Sequence, residues 1–127
     1  MASLNRILCV EDEPDIQAVA RLALELVGGF TVQVCGTGEE ALTMVPRFKP
    51  DLILLDVMMP GMDGPAFLAH LRQRPEMDTI PVIFMTARVQ PAEIARFTNL
   101  GALDVIAKPF DPMALSGQVR SIWERHV

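Results

Sequence analysis

Five short apolar runs punctuate the chain, at residues 6–10, 30–35, 52–55, 80–85 and 102–107, and four of them stop at a group able to do chemistry. Those stops are Glu11 with Asp12, Asp56, Thr86 and Lys108. The runs are short and the central ones continuous rather than alternating, which predicts strands buried on both faces, as in a parallel sheet. The segments between them carry helical spacing instead. Ile16, Val19, Ala20, Ala23, Leu24 and Val27 mark a helix that Pro14 opens and Gly28-Gly29 ends. Thr37-Gly38-Glu39-Glu40 is a capping box for a second helix, expected to run through Met44 and to end at Pro46. Asp63 caps a third helix carrying Phe67, Leu68 and Leu71, after a Pro- and Gly-rich loop at 58–64. A fourth runs from Pro91 to about Asn99, with Gly101 as its stop. Asp111-Pro112 starts the last, which is expected to set Leu115, Val119, Ile122 and His126 on one face with Trp123 at its edge.

Strict alternation of five strands and five helices defines an α/β fold with a doubly wound parallel sheet and right-handed crossovers. The expectation is one domain spanning 1–127, with no effector domain, since no repeat, low-complexity tract or linker interrupts it. In such a sheet ligands bind at the carboxyl ends of the strands, where strand order reverses. The four chemical stops therefore converge on one edge.

Composition narrows the classes. Hydrophobic residues make up 50% and charged residues 21% of the 127 residues, within the globular range. A net charge of −5 argues against a nucleic-acid surface or an anionic membrane. The start of the chain lacks the apolar stretch of a signal peptide, and no segment approaches a membrane span, so a cytoplasmic protein is expected. Cys9 and Cys35 lie inside apolar runs and read as reduced core thiols. His70 and His126 read as surface residues, and the methionines mostly as core filler, with Met58, Met59 and Met62 close enough to the site to cover a partner.

Three carboxylates gathered in a small space repel one another unless a cation or protons join them. Mg2+ suits them, since it takes oxygen ligands and joins one or two carboxylates to a phosphate oxygen. Lys108 adds a compact charge able to pair with Asp56 or with an incoming phosphoryl group, and Thr86 adds a hydroxyl. A carboxylate so placed is equipped to attack phosphorus and form an acyl phosphate. Two residues past Asp56 stands Met58, which offers no acid or base to speed the loss of that group.

The motifs ILCVEDEP at 7–14, DLILLDVMMPGMDG at 51–64, VIFMTA at 82–87 and IAKPF at 106–110 resemble the receiver domain of two-component response regulators over the whole chain. The resemblance implies a flavodoxin-like sheet of order 2-1-3-4-5. It further implies Asp56 as phosphoacceptor, Glu11, Asp12 and Asp56 as metal acids, Met58 as a metal ligand through its main-chain carbonyl, and Thr86 and Lys108 as phosphoryl contacts. The implied partners are a sensor histidine kinase or histidine phosphotransfer protein and a downstream protein target. The chain departs from the family at Val105, three residues before the lysine, where receivers commonly carry Tyr or Phe.

On this reading the protein is a phosphoacceptor signalling domain rather than an enzyme, a single-domain regulator acting by protein contact. A phosphorelay intermediate or phosphate sink is the alternative, because the motifs do not separate the two roles. A flavodoxin-like cofactor binder ranks low, since Glu11-Asp12-Glu13 after the first strand repels a phosphate that lacks a metal. A magnesium-dependent phosphatase ranks low for want of an acid-base group at Met58.

Overall fold

The computed structural model describes residues 3–126; Met1 and Ala2, on which part of the signal-peptide reading rests, and Val127 lie outside the described residues. Strands β1 (Arg6–Val10), β2 (Thr31–Cys35), β3 (Leu52–Asp56), β4 (Val82–Thr86) and β5 (Asp104–Ala107) pair in parallel in the order β2-β1-β3-β4-β5. Helices α1 (Pro14–Leu22), α2 (Gly38–Phe48), α3 (Gly64–Arg72), α4 (Pro91–Asn99) and α5 (Leu115–His126) connect and cover them. The expected flavodoxin-like α/β architecture is the one observed.

The central strand is β3, with Leu54 in register with Cys9 on one side and Ile83 on the other. All five of its residues are buried. Side chains alternate between two cores. Ile53 and Leu55 join Leu8, Val82 and Phe84 beneath α2, α3 and α4, while Leu52 and Leu54 join Ile7, Cys9 and Ile83 beneath α1 and α5. Each fully buried Leu or Ile contributes roughly 1.5–3 kcal/mol relative to exposure, so a run that cannot tolerate a polar residue ends where burial on both faces ends. Cys9 and Cys35 belong to opposite cores and are free thiols, and burial pushes both up to about 12.

Two glycines let elements approach. A Cβ at Gly64 would lie 2.9 Å from Val57 Cα and 3.1 Å from the Asp56 carbonyl oxygen, so its absence brings the start of α3 against the end of β3. At Gly28 a Cβ would collide with Ser116 Oγ at 2.3 Å. That contact belongs to an unexpected feature. The first helix widens into a π-wound segment over Ala23–Val27, and the Ala23 carbonyl accepts from both Gly28 N–H at 3.3 Å and the Ser116 hydroxyl at 2.8 Å. The wider winding turns Val27, 48% exposed, off the stripe of Ala20, Ala23 and Leu24, which are buried; Val19, in the regular turns before it, is 40% exposed.

Two further boundaries and the facing of the last helix differ from expectation. Pro46 sits inside α2, which continues to Phe48 and ends with Lys49 at φ 55°. A proline in the last turns removes one helical bond, and the burial of Val45 together with the Arg6 guanidinium 4.1 Å above the Phe48 ring outweighs that loss. Regular α5 begins at Leu115 rather than at Pro112, because Asp111 first forms a turn in which its carboxylate accepts Met113 N–H at 2.9 Å. In α5 Trp123 is buried beside Leu115, Val119 and Ile122, whereas His126 is exposed at the helix end. The expected caps of α2 and α3 form, with Thr37 Oγ1 accepting Glu40 N–H at 3.0 Å and Asp63 Oδ1 accepting Ala66 N–H at 2.9 Å.

Candidate functional site

The carboxyl ends of β1, β3, β4 and β5 present Glu11 and Asp12, Asp56, Thr86 and Lys108, as the sequence predicts. Ligand oxygens of Glu11, Asp12 and Asp56 lie within 4.8 Å of one another. Glu11 is fully buried and Asp56 is 3% exposed, so their repulsion is little screened by solvent.

Lys108 links the cluster, but its preference differs from expectation. Its Nζ donates to Glu11 Oε1 at 2.7 Å and stands 3.4 Å from Asp56 Oδ1. Asp56 Oδ1 also accepts Met58 N–H at 3.2 Å, and Glu11 Oε2 accepts Glu13 N–H at 3.3 Å. Burial pushes the Glu11 carboxyl up to about 7, with the Lys108 bond opposing and nearby Asp56 reinforcing the rise. Burial works against the Lys108 ammonium, but its bond to Glu11 and the charge of Asp56 outweigh this and raise its pKa.

Asp12 stands apart. Its Oδ1 is the one buried side-chain oxygen or nitrogen without a hydrogen-bond partner among the described residues. Leaving a buried carboxylate oxygen unpaired costs about 1–3 kcal/mol or more, so the position makes sense only if something absent from the chain completes it. Three convergent oxygen donors, one of them unpartnered, fit a hard divalent cation such as Mg2+.

Thr86 closes the edge next to β5. Its Oγ1 accepts Arg88 N–H at 3.1 Å, which leaves its own proton free to be donated, and its carbonyl accepts Lys108 N–H at 2.9 Å. Met58, 71% exposed, projects from the loop after β3, while Met59 is buried and Met62 half-buried. Val105 is half-buried against the core beneath α4, in register with Phe84, whose ring meets Phe97 of α4 edge-on at 5.1 Å between centroids.

Sequence reasoning missed Gln17. Its side-chain amide donates to the Glu11 carbonyl from one turn into α1. Only its place six residues past Glu11, on the helix leaving the site, hinted at this. Gln17 otherwise reads as one more polar residue on a solvated face.

The sequence pattern of the response regulator receiver domain matches residues 7–120, and the chain belongs to that family. It is 38% identical over 122 residues to the phosphate regulon transcriptional regulatory protein PhoB of Rhizobium meliloti, covering 96% of this chain and 53% of that protein. The chain spans about half the length of the curated relatives that it matches. Among solved structures it is similar to the chemotaxis protein CheY4 of Vibrio cholerae, with a TM-score of 0.86 and 26% identity over 94% of this chain and 99% of that one. It is similar also to the signal receiver domain of a histidine kinase from Syntrophus aciditrophicus, with a TM-score of 0.81 and 35% identity over 95% and 91% of the two chains. No described helix is long and apolar enough to cross a membrane.

Proposed function

We propose that Asp56 is the phosphoacceptor of this receiver domain, taking its phosphoryl group from the phosphohistidine of a histidine kinase or phosphotransfer protein. A carboxylate oxygen of Asp56 attacks phosphorus, the P–N bond breaks, its electron pair stays on the imidazole nitrogen, and an acyl phosphate forms. The observation that carries this reading is the burial of Asp56 against Lys108 beside two further acids, one of them without a partner.

Each neighbour has a task. Glu11, Asp12 and Asp56, with the main-chain carbonyl of Met58, would hold Mg2+, which supplies charge neutralisation for the phosphoryl oxygens. The Lys108 ammonium, 3.4 Å from Asp56, turns from Glu11 toward the arriving phosphoryl oxygen. Thr86 donates its hydroxyl proton to a second such oxygen. Doing so redirects the oxygen that accepts Arg88 N–H and loosens the loop leading to α4. Output then passes through α4, β5 and α5 to a protein target. Since Val105 has no ring, the loop backbone carries the change.

Met58 supplies neither acid nor base, so the acyl phosphate is lost slowly, as suits a phosphoacceptor signalling domain rather than an enzyme. Work in the cytoplasm goes with a kinase as donor. Relatives carry similar domains in a transcriptional regulator, a chemotaxis protein and a histidine kinase, so output by protein contact and onward transfer of the phosphoryl group are both compatible with this site. To test the assignment, the protein is incubated with a small phosphodonor and Mg2+ and its intact mass measured. A gain of one phosphoryl group is expected, and none in Asp56→Asn. A gain that persists in a folded Asp56→Asn protein would overturn the assignment.

A further inference from the structure

We infer that Gln17 is a positioning residue that holds Glu11 and Asp12 in cation-binding geometry before any cation arrives. The inference rests on the metal reading above and deepens it. Its Nε2 donates to the Glu11 carbonyl oxygen, and that oxygen belongs to the peptide unit joining Glu11 to Asp12. A peptide unit is planar, so fixing its carbonyl fixes the direction of both flanking Cα atoms and thus where both carboxylates project. One hydrogen bond therefore orients two of the three acids.

The acidic cluster needs such a brace. Glu11, Asp12 and Asp56 oxygens within 4.8 Å of one another push the backbone of the β1–α1 loop apart. On one side the Glu11 N–H is tied to the Cys35 carbonyl at 3.0 Å, and Glu11 Oε1 is tied to Lys108. Asp12 Oδ1 has no partner, so its place depends on its main chain. Gln17 supplies the tie from the other side, and its own N–H is bonded to Glu13 O at 2.9 Å, which anchors the brace in the first turn of α1. An amide adds this restraint without adding charge. A cationic side chain there would oppose the incoming cation, and an anionic one would add to the repulsion.

If Gln17 is lost, the ordering of the loop must be accomplished when the cation binds, which weakens binding. Once the cation is bound, the geometry is the same. The signature is a higher Mg2+ requirement with an unchanged rate of Asp56 labelling at saturating Mg2+. Groups that orient the ligands of a metal from behind commonly change affinity about 10- to 100-fold, and a single main-chain tie belongs at the lower end, about tenfold.

The test uses the full chain with Gln17→Met, which keeps the length of the side chain and removes the donor, and Gln17→Ala beside it. Mg2+ is titrated into each and followed by amide NMR shifts of residues 11–13 and 56–58, with thermal unfolding of the metal-free proteins as a control for folding. The expected result is a dissociation constant raised about tenfold in both variants, with labelling by a small phosphodonor at saturating Mg2+ equal to that of the parent. A dissociation constant within twofold of the parent overturns the inference, and so does a labelling rate that stays low at saturating Mg2+. If the parent binds Mg2+ and Asp12→Ala does not, either failure belongs to Gln17 alone. If the parent binds none, the metal reading falls and this inference with it.

Discussion

Asp51 and Asp56 stand at opposite ends of strand β3, and they are treated in opposite ways. Asp51 Oδ2 accepts Asn5 N–H at 2.9 Å and Arg6 N–H at 2.8 Å, so the carboxylate is consumed in tying β1 to the start of β3. The rest of that edge is similar. Arg6 donates to the Phe48 carbonyl at 2.8 Å, and Arg72 donates to the carbonyls of Ile80 at 2.8 Å and Gly101 at 3.2 Å. Polar side chains at the amino edge are matched to the backbone. At the carboxyl edge Asp56 faces two more acids across one lysine, and Asp12 keeps an oxygen with no partner. A carboxylate whose bonds are all made within the chain is a structural part; one left in unresolved repulsion in a buried place is available to a ligand.

The two edges should therefore answer to mutation with opposite signs. Asp12→Ala is expected to have the largest functional effect, abolishing Mg2+ binding measured by NMR titration and with it the labelling of Asp56. Because it removes an unpartnered buried oxygen, its unfolding midpoint without metal should match or exceed that of the parent. Asp51→Ala should do the reverse. It leaves two backbone donors without their acceptor and is expected to cost roughly 1–3 kcal/mol of stability in denaturant unfolding, with Mg2+ affinity unchanged. Loss of Mg2+ binding in a folded Asp51→Ala protein would erase the distinction.

A smaller effect comes from pH. The raised Glu11 carboxyl means that the folded, metal-free protein holds a proton there up to about pH 7, where burial outweighs the attraction of Lys108. A cation has to displace that proton, so Mg2+ affinity should fall by up to about tenfold per pH unit below 7 and level off above it. Asp51→Ala should follow the same profile. A flat affinity from pH 6 to pH 8 would show that Glu11 is ionised throughout and that Lys108 dominates it.

The contrast between the edges was half legible in the sequence. The apolar run before Asp56 announces a strand buried on both faces, and four such runs ending in chemical groups place the site on one edge before any coordinate is known. Asp51 carries no comparable signal, since its partners, the amides of Asn5 and Arg6, lie far off in sequence and are main-chain groups that every residue possesses. Lys108 is expected to meet Asp56 or a phosphoryl group, yet its Nζ lies 2.7 Å from Glu11 Oε1 and 3.4 Å from Asp56 Oδ1, a choice of side-chain placement that the sequence does not show. Pro46 misled because local propensity weighs a lost hydrogen bond and cannot see the burial of Val45 or the cation above Phe48. The π-wound turn at Ala23–Val27 was invisible for a similar reason. It is fixed by Ser116 and Gly28, one of them on the last helix of the chain. What the sequence conceals is which long-range partner each group finds.

The central question is which carboxylate becomes the acyl phosphate. The protein should be labelled with a small phosphodonor and Mg2+, reduced at once with borohydride, which converts an acyl phosphate to the alcohol with release of phosphate, and digested for tandem mass spectrometry. Homoserine is expected at position 56 alone, with Asp12 and Asp51 recovered as aspartate. Conversion at Asp12 or Asp51 with Asp56 intact, or no conversion in a protein shown to bind Mg2+, would contradict it.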